Sequence, residues 1–229
     1  DTPSTIQPTT GNGFIEIVHN GSITSNGSTS SAIGILGLDM ETNNTGTIVN
    51  ATRASSITLG NSSTIDVSSS SNGVGVYSKG VYRGGAATIT DNGSNITIGA
   101  VGIGVYSEGA EINATGGIIT SINNSTAQGI FTDSNVNSFK NITLLGDKSI
   151  GIHNYGVNSM YSTGYVTITN SGTITLGDSA KINDPSIGIY TKYGDVNHYG
   201  TINGGLRTLG VLSETDRSVN IDNNGTITL

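Results

Sequence analysis

An internal repeat constrains the fold of this chain more than any other feature. Segments such as "VGIGVYS" and "SIGIYTK" recur, each followed by a segment of the type "NSGTITLG". The smallest spacing between equivalent glycines is 22 residues. A unit of that length cannot enclose a core, so it is stable only when it is stacked on its neighbours. The repeat therefore predicts a stack of similar units. Its shared glycines are Gly34, Gly75, Gly104, Gly129, Gly151, Gly188 and Gly210.

Each unit has the two-residue hydrophobic period of a β-strand. Ile187 and Ile189 alternate with Gly188 and Tyr190, and turns rich in Gly and Asn bound the segment. Such alternation is typical of half-buried strands. Three short strands per unit predict an all-β, right-handed parallel β-helix, a three-sheet solenoid of about eight rungs with loop insertions. The 41 residues between Gly34 and Gly75 suggest one doubled unit.

The turn residues suggest how the corners between strands are made. Glycine adopts positive φ freely and asparagine tolerates it, so both are expected at corners. Asparagines at equivalent corners are also expected to form hydrogen-bonded amide ladders. We assign residues 1–13 to a linker or N-terminal extension and residues 14–229 to the repeat block, a fragment of a longer chain.

Composition excludes several classes of function. The chain has 9 Lys and Arg against 16 Asp and Glu, a net charge of -7 that disfavours nucleic acid. It has no cysteine, which excludes zinc–thiolate sites and cysteine nucleophiles. No apolar run is long enough to span a membrane. The three histidines fall in different units, so no catalytic triad can be argued. We expect no catalytic residues, no cofactor and no metal.

An aromatic column is the first candidate for a binding surface. One aromatic or histidine side chain follows the Gly-Ile or Gly-Val pair in five units, and alternation directs it away from the core. Stacked in register, these side chains would form an outward ladder. The ladder either stabilises the sheet through cross-strand packing or recognises a sugar or partner. Its members are Tyr77, Tyr106, Phe131, His153 and Tyr190.

Two insertions and one repeat unit supply the remaining candidates, and the insertions come first because binding residues concentrate in loops on rigid scaffolds. The longer insertion, residues 154–165, is expected to expose its tyrosines and methionine on a bulge. Such loops either contact a partner or pack on themselves. The candidate binding residues are Tyr155, Met160, Tyr161 and Tyr165 from this insertion, Tyr82 and Arg83 from the insertion at residues 78–87, and Tyr190 and Tyr193 from a repeat unit.

The units "SIGIYTKYGDVNHYGTINGG" and "VTITNSGTITLGDSAKINDPSIGIY" resemble the passenger domains of type V autotransporters. They are most similar to the very large fusobacterial outer-membrane adhesins, and the resemblance covers residues 14–229. It implies a parent chain with an N-terminal secretion signal and a C-terminal outer-membrane barrel. It also implies adhesion to host cells and coaggregation between bacteria. The family offers no residue-level binding motif that maps onto this sequence.

Together these observations favour a non-catalytic adhesin segment on the surface of a Gram-negative cell. Its partner would be a glycan or protein of a host or bacterial cell surface, and we expect a monomer that does not itself span a membrane. One alternative is a polysaccharide-active β-helix enzyme, a lyase or hydrolase, which would need converging acidic and basic residues. The other is an inert spacer within a larger adhesin.

Overall fold

The structure is a computed structural model that describes residues 16–25, 31–39, 56–80, 87–122, 126–156, 166–180, 183–215 and 218–229. Within these ranges the chain forms twenty-one β-strands and no helix. The expected linker, residues 1–13, lies outside them. In chain order the strands are β1 (Glu16–His19), β2 (Ser22–Thr24), β3 (Ile33–Asp39), β4 (Ser56–Leu59), β5 (Thr64–Asp66), β6 (Val74–Gly80), β7 (Ala87–Ile98), β8 (Ile103–Glu108), β9 (Ala110–Ser121), β10 (Gln128–Thr132), β11 (Val136–Ser138), β12 (Asn141–Leu144), β13 (Ile150–Asn154), β14 (Val166–Asn170), β15 (Thr173–Leu176), β16 (Ser186–Thr191), β17 (Gly194–His198), β18 (Thr201–Asn203), β19 (Thr208–Ser213), β20 (Ile221–Asn223) and β21 (Thr226–Thr228).

All the strand pairs are parallel, and they form three columns in which the strand order follows the chain. Column 1 contains β1, β4, β7, β9, β11, β14, β17 and β20. Column 2 contains β2, β5, β7, β9, β12, β15, β18 and β21. Column 3 contains β3, β6, β8, β10, β13, β16 and β19. The described chain therefore stacks eight strands in each of two columns and seven in the third.

Columns 1 and 2 belong to one 14-stranded sheet, whereas column 3 is a separate 7-stranded sheet. The expectation of three separate sheets differs from this arrangement because β7 and β9 each run through both columns. Each of these strands bends midway, where Gly93 and Gly117 have φ of 117° and 82°. The pairing of β3 with β6 also places Gly34 and Gly75 in adjacent strands. The doubled unit expected between them is therefore wrong.

The core consists of aliphatic side chains stacked in register along the columns. Every column 2 strand contributes one isoleucine to an aligned row, as in the pairs Ile119–Ile142 and Ile142–Ile174. Column 3 contributes a matching row that includes Ile130, Ile152 and Ile189, all fully buried. Because each side chain contacts its equivalent in the neighbouring strands, the core runs the length of the stack.

The shared glycines face this core, which corrects the expectation that Gly188 lies outside with Tyr190. A Cβ built on any of the seven would lie 2.5–2.8 Å from the Cγ2 atom of an isoleucine in the next column 2 strand. At Gly129 the same Cβ would lie 2.5 Å from the carbonyl oxygen of Gly151. The described glycines with positive φ are Gly93, Gly109 and Gly117, none of them in the shared set. Close approach of column 3 to column 2, rather than positive φ, therefore requires glycine at these positions.

Asparagine and aspartate side chains connect neighbouring layers mainly through the backbone. Asn135 Oδ1 accepts a hydrogen bond from the Thr167 amide at 2.9 Å, and Asn141 Oδ1 accepts one from the Thr173 amide at 3.0 Å. Asp195 Oδ1 accepts a bond of 2.8 Å from an amide 25 residues later. At these positions the expected amide ladders are replaced by bonds from side chain to backbone, which satisfy amides at strand starts.

Replacing Gly129 with alanine is expected to destabilise the fold by about 1–3 kcal/mol, because the methyl group overlaps Ile142 and the Gly151 carbonyl. Gly116→Ala is the matched control, since its added Cβ meets no atom within 4 Å. That change should be neutral or slightly stabilising. Urea unfolding followed by circular dichroism measures both free energies. Equal stability of the two variants would contradict the packing argument.

Candidate functional site

The aromatic column predicted from the repeat is present on the outer face of column 3. Strand pairing aligns Tyr77 with Tyr106, Tyr106 with Phe131, Phe131 with His153, and His153 with Tyr190. All five side chains are half-buried. The same register extends the column to Leu36 beside Tyr77 and to Leu212 beside Tyr190. We call the five aligned rings, together with Tyr155, the aromatic strip.

Neighbouring rings of the strip are in direct contact. The centroids are 4.8 Å apart for Tyr77–Tyr106, 5.0 Å for Tyr106–Phe131, and 4.7 Å for both Phe131–His153 and His153–Tyr190. The rings are tilted or edge-to-face, arrangements that the aromatic quadrupole favours. This spacing follows the distance between parallel strands, so the sheet itself holds the rings in place.

Tyr155 covers the middle of the strip, contrary to the expectation that it is exposed on a bulge. Its ring stacks on Phe131 with centroids 4.4 Å apart and an interplanar angle of 28°. It also makes an edge contact with Tyr106 at 6.5 Å. The Tyr155 amide donates to the Thr132 carbonyl at 3.1 Å, which fixes the backbone beside β10. The ends of the strip, at Tyr77 and Tyr190, are not covered by this ring.

Carboxylates two residues beyond the ring positions bind the tyrosine hydroxyls. Tyr106 donates to Glu108 Oε1 at 2.6 Å, and Lys79 Nζ lies 2.7 Å from Glu108 Oε2. At the other end, Tyr190 donates to Glu214 Oε2 at 2.9 Å. Burial alone would raise the pKa of Glu108, but hydrogen bonds from Lys79 and Tyr106 bring it below its ordinary value. The strip is thus edged by two carboxyl groups, and Glu108 is held in its ionised form.

The tyrosines of the strip remain protonated over the physiological range. Burial raises the pKa of Tyr77, Tyr106, Tyr155 and Tyr190, and nearby carboxylates raise it further. Each ring therefore presents a neutral surface. A neutral aromatic surface edged with hydrogen-bonding groups is suited to ligands that have both apolar faces and hydroxyl or amide groups.

His153 is a neutral aromatic member of the strip at neutral pH. Burial lowers its pKa from 6.5 to about 4. Its Nδ1 lies 2.8 Å from the side-chain oxygen of Gln128, to which the neutral ring donates. The ring contacts Phe131 and Tyr190 on either side. A proton on His153 would therefore place a charge between two aromatic neighbours in a partly desolvated position.

The structure places three of the eight candidate binding residues. Tyr155 and Tyr190 belong to the aromatic strip. Tyr193 lies beside it: the Lys192 ammonium is 5.6 Å from its ring centroid, and a Cβ built on Gly156 would be 3.8 Å from its Cδ2 atom. The other five candidates lie outside the described residues: Tyr82, Arg83, Met160, Tyr161 and Tyr165.

The carboxylates of the strip were missed in the sequence, although a signal for them is present. Glu108 follows Tyr106 in "YSE", and Glu214 follows the equivalent Leu212 in "LSE". Residues two apart on a strand lie on the same face, so the ring and the carboxylate are neighbours. Lys79 occupies the same place in "YSK" and pairs with Glu108 across the strands.

A second group of acidic side chains lies at a depression in the surface. Asp147 and Asp178 line an open surface depression together with Arg207. Asp147 Oδ1 accepts bonds from the Ser179 hydroxyl and the Ala180 amide, both at 2.7 Å. Asp178 Oδ1 accepts one from the Leu206 amide at 2.8 Å. These carboxylates connect neighbouring layers. In the described part of the chain, no three His, Asp or Glu side chains converge to hold a metal ion.

Comparisons of the chain with protein-family models, curated proteins and solved structures found no match. Among the residues that the structure describes, no helix is long and apolar enough to cross a membrane.

Folding stability is expected to fall between pH 6.5 and pH 4, partly because of His153. The unfolded chain takes up this proton near pH 6.5 and the folded chain near pH 4, so the contribution is complete above pH 6.5 and is lost as the pH falls. Allowing for the partial exposure of the ring, we expect about 1–2 kcal/mol from this residue. Phe131 is the aligned residue of the neighbouring strand, so a phenyl ring fits this column. His153→Phe removes the titrating group and should flatten the dependence of the unfolding free energy on pH. Parallel profiles for the two proteins would contradict this assignment.

Proposed function

We propose that this chain is a right-handed parallel β-helix segment of a bacterial surface adhesin. Three parallel columns whose strand order follows the chain support a continuous coil of stacked turns. Eight strands at a spacing of about 4.8 Å correspond to a rod of about 40 Å. Display from the outer membrane of a Gram-negative cell follows from the resemblance of the repeat units to autotransporter passengers.

The observation that carries the adhesive function is the aromatic strip. Six rings in contact lie on one face of a sheet, with the carboxyl groups of Glu108 and Glu214 at their edges. The rings provide apolar contact area with little conformational entropy to lose. The carboxylates can accept hydrogen bonds from hydroxyl or amide groups of a bound molecule. These properties suit a glycan or protein of a host or bacterial cell surface.

The mechanism would be presentation rather than catalysis. A stiff stack holds the strip at a fixed position, and many copies on one cell allow weak single contacts to combine. The acidic net charge of -7 disfavours nucleic acid as the partner. We propose that the segment is monomeric and that it uses no catalytic residue, metal or cofactor.

A cell-binding assay tests this proposal. The purified chain is titrated onto host epithelial cells and partner bacteria, with galactose, N-acetylgalactosamine and arginine as competitors. We expect saturable binding that Tyr77→Ala and Tyr190→Ala, at the two ends of the strip, each weaken about tenfold or more. Thr175→Ala, on the outer face of column 2, is the matched control and should bind as the unaltered chain does.

Circular dichroism and the unfolding midpoint establish that each variant is folded. Unchanged binding by folded strip variants would exclude the strip as the contact surface. If the folded, unaltered chain binds none of these cells, the result would favour the alternative that the segment is an inert spacer within a larger adhesin.

A further inference from the structure

A buried lysine–aspartate pair lies inside the bend between columns 1 and 2. Asp91 is located at the bend of β7, and Lys140 follows β11 two layers later. Their side chains are 1% and 0% exposed, and Lys140 Nζ lies 2.6 Å from Asp91 Oδ2. Later repeats have glycine where this one has lysine, as in "NSGTIT" and "HYGTIN" against "SFKNIT". The pair is therefore a local feature of these layers and not part of the repeat.

The contacts of the amine suit a neutral nucleophile as well as an ammonium. Besides Asp91, Nζ lies 2.7 Å from the Ser94 carbonyl oxygen and 3.2 Å from the Gly116 carbonyl oxygen. Its distance to the Ser94 hydroxyl oxygen is 3.3 Å. A neutral amine has two N–H groups, and each can donate a hydrogen bond to one of these two carbonyl oxygens. Its lone pair then faces the carboxyl group of Asp91.

The carboxyl group is held in the manner of an activated acyl group. Asp91 Oδ1 accepts hydrogen bonds from the amides of Gly93 at 3.0 Å and Ser94 at 2.7 Å. Two fixed amide donors on one oxygen are the arrangement that stabilises the oxyanion of an acyl-transfer intermediate. The Ser94 hydroxyl donates to Oδ2 at 2.8 Å, on the side where the amine lies. It can pass a proton between nitrogen and the departing oxygen.

Burial disfavours the charged form of Lys140. Water is excluded from both side chains, so an ion pair there carries a large desolvation penalty. Desolvation lowers the pKa of Lys140, opposed by the charge of Asp91. Proton transfer from ammonium to carboxylate gives an amine and a carboxylic acid in contact. Fixed proximity of this kind strongly accelerates a reaction between two groups.

We propose that Lys140 and Asp91 condense to an intramolecular amide. The Nζ lone pair attacks Cγ of Asp91, and the negative charge collects on Oδ1 between the two amide N–H groups. The nitrogen loses a proton, which reaches Oδ2 through the Ser94 hydroxyl. The Cγ–Oδ2 bond breaks, one water molecule leaves, and an N–C bond remains without any oxidation or reduction. In a chain without cysteine, this amide would be a covalent link between the layers of β7 and β11.

Mass spectrometry of the purified, folded chain tests the proposal. The expected intact mass is lower than the mass of the sequence by one water molecule. Proteolysis should then release one branched peptide that joins the segments containing Asp91 and Lys140. A chain kept in denaturant from its synthesis should retain the full mass, because only the folded state brings the two groups together.

Two controls distinguish this amide from other modifications that lower the mass by one water molecule. Lys140→Met lacks the nucleophile and should have its full mass. A succinimide formed at an aspartate also loses water, but it yields linear peptides and is cleaved by hydroxylamine, whereas the amide is not. If the variant fails to fold, the peptide map of the unaltered chain still decides the question. A full mass, or a loss of water confined to linear peptides, would overturn the proposal.

Discussion

The close packing of the shared glycines against isoleucine is the interaction on which the rest of this structure depends. It brings column 3 to within contact of column 2, and the would-be Cβ of every shared glycine overlaps an isoleucine methyl group. The absence of a side chain on one side leaves room for the large aliphatic side chain on the other. Since the same pair recurs in each layer, the layers can stack in one register only. That register aligns all the other side chains along the stack.

The aromatic strip is a direct consequence of this alignment. One residue per layer lies at the same outward position of column 3, so rings in successive repeats contact one another at the distance between strands. Burial keeps the tyrosines protonated and His153 neutral, which makes the strip continuous and uncharged. Glu108 and Glu214 lie at its edges, where they accept hydrogen bonds from Tyr106 and Tyr190. A scaffold requirement thereby produces the surface that we propose as the binding site.

Much of the layering could be predicted from sequence because it depends on local periodicity. The recurrence of Gly188 and its equivalents predicted parallel stacking, and the position after the following Ile or Val predicted the ring column that includes Tyr190. Other features depend on contacts between distant segments. The inward direction of Gly188 reflects its approach to Ile202, 14 residues later, and alternation alone predicted the opposite. Tyr155 stacks on Phe131, which no local pattern indicated. The Lys140–Asp91 pair spans two layers and breaks the repeat at the lysine, so periodicity could not reveal it.

A double-mutant cycle between Gly129 and Ile142 tests the central packing constraint most directly. Ile142→Ala removes the two methyl groups, Cγ2 and Cδ1, that a side chain at Gly129 would meet at 2.7 and 3.0 Å. Combined with Gly129→Ala, it should leave the protein more stable than the sum of the single changes predicts, with a coupling free energy of about 1 kcal/mol or more. Strictly additive effects in urea unfolding would contradict the account, because they would mean that the glycine and the isoleucine do not compete for the same space.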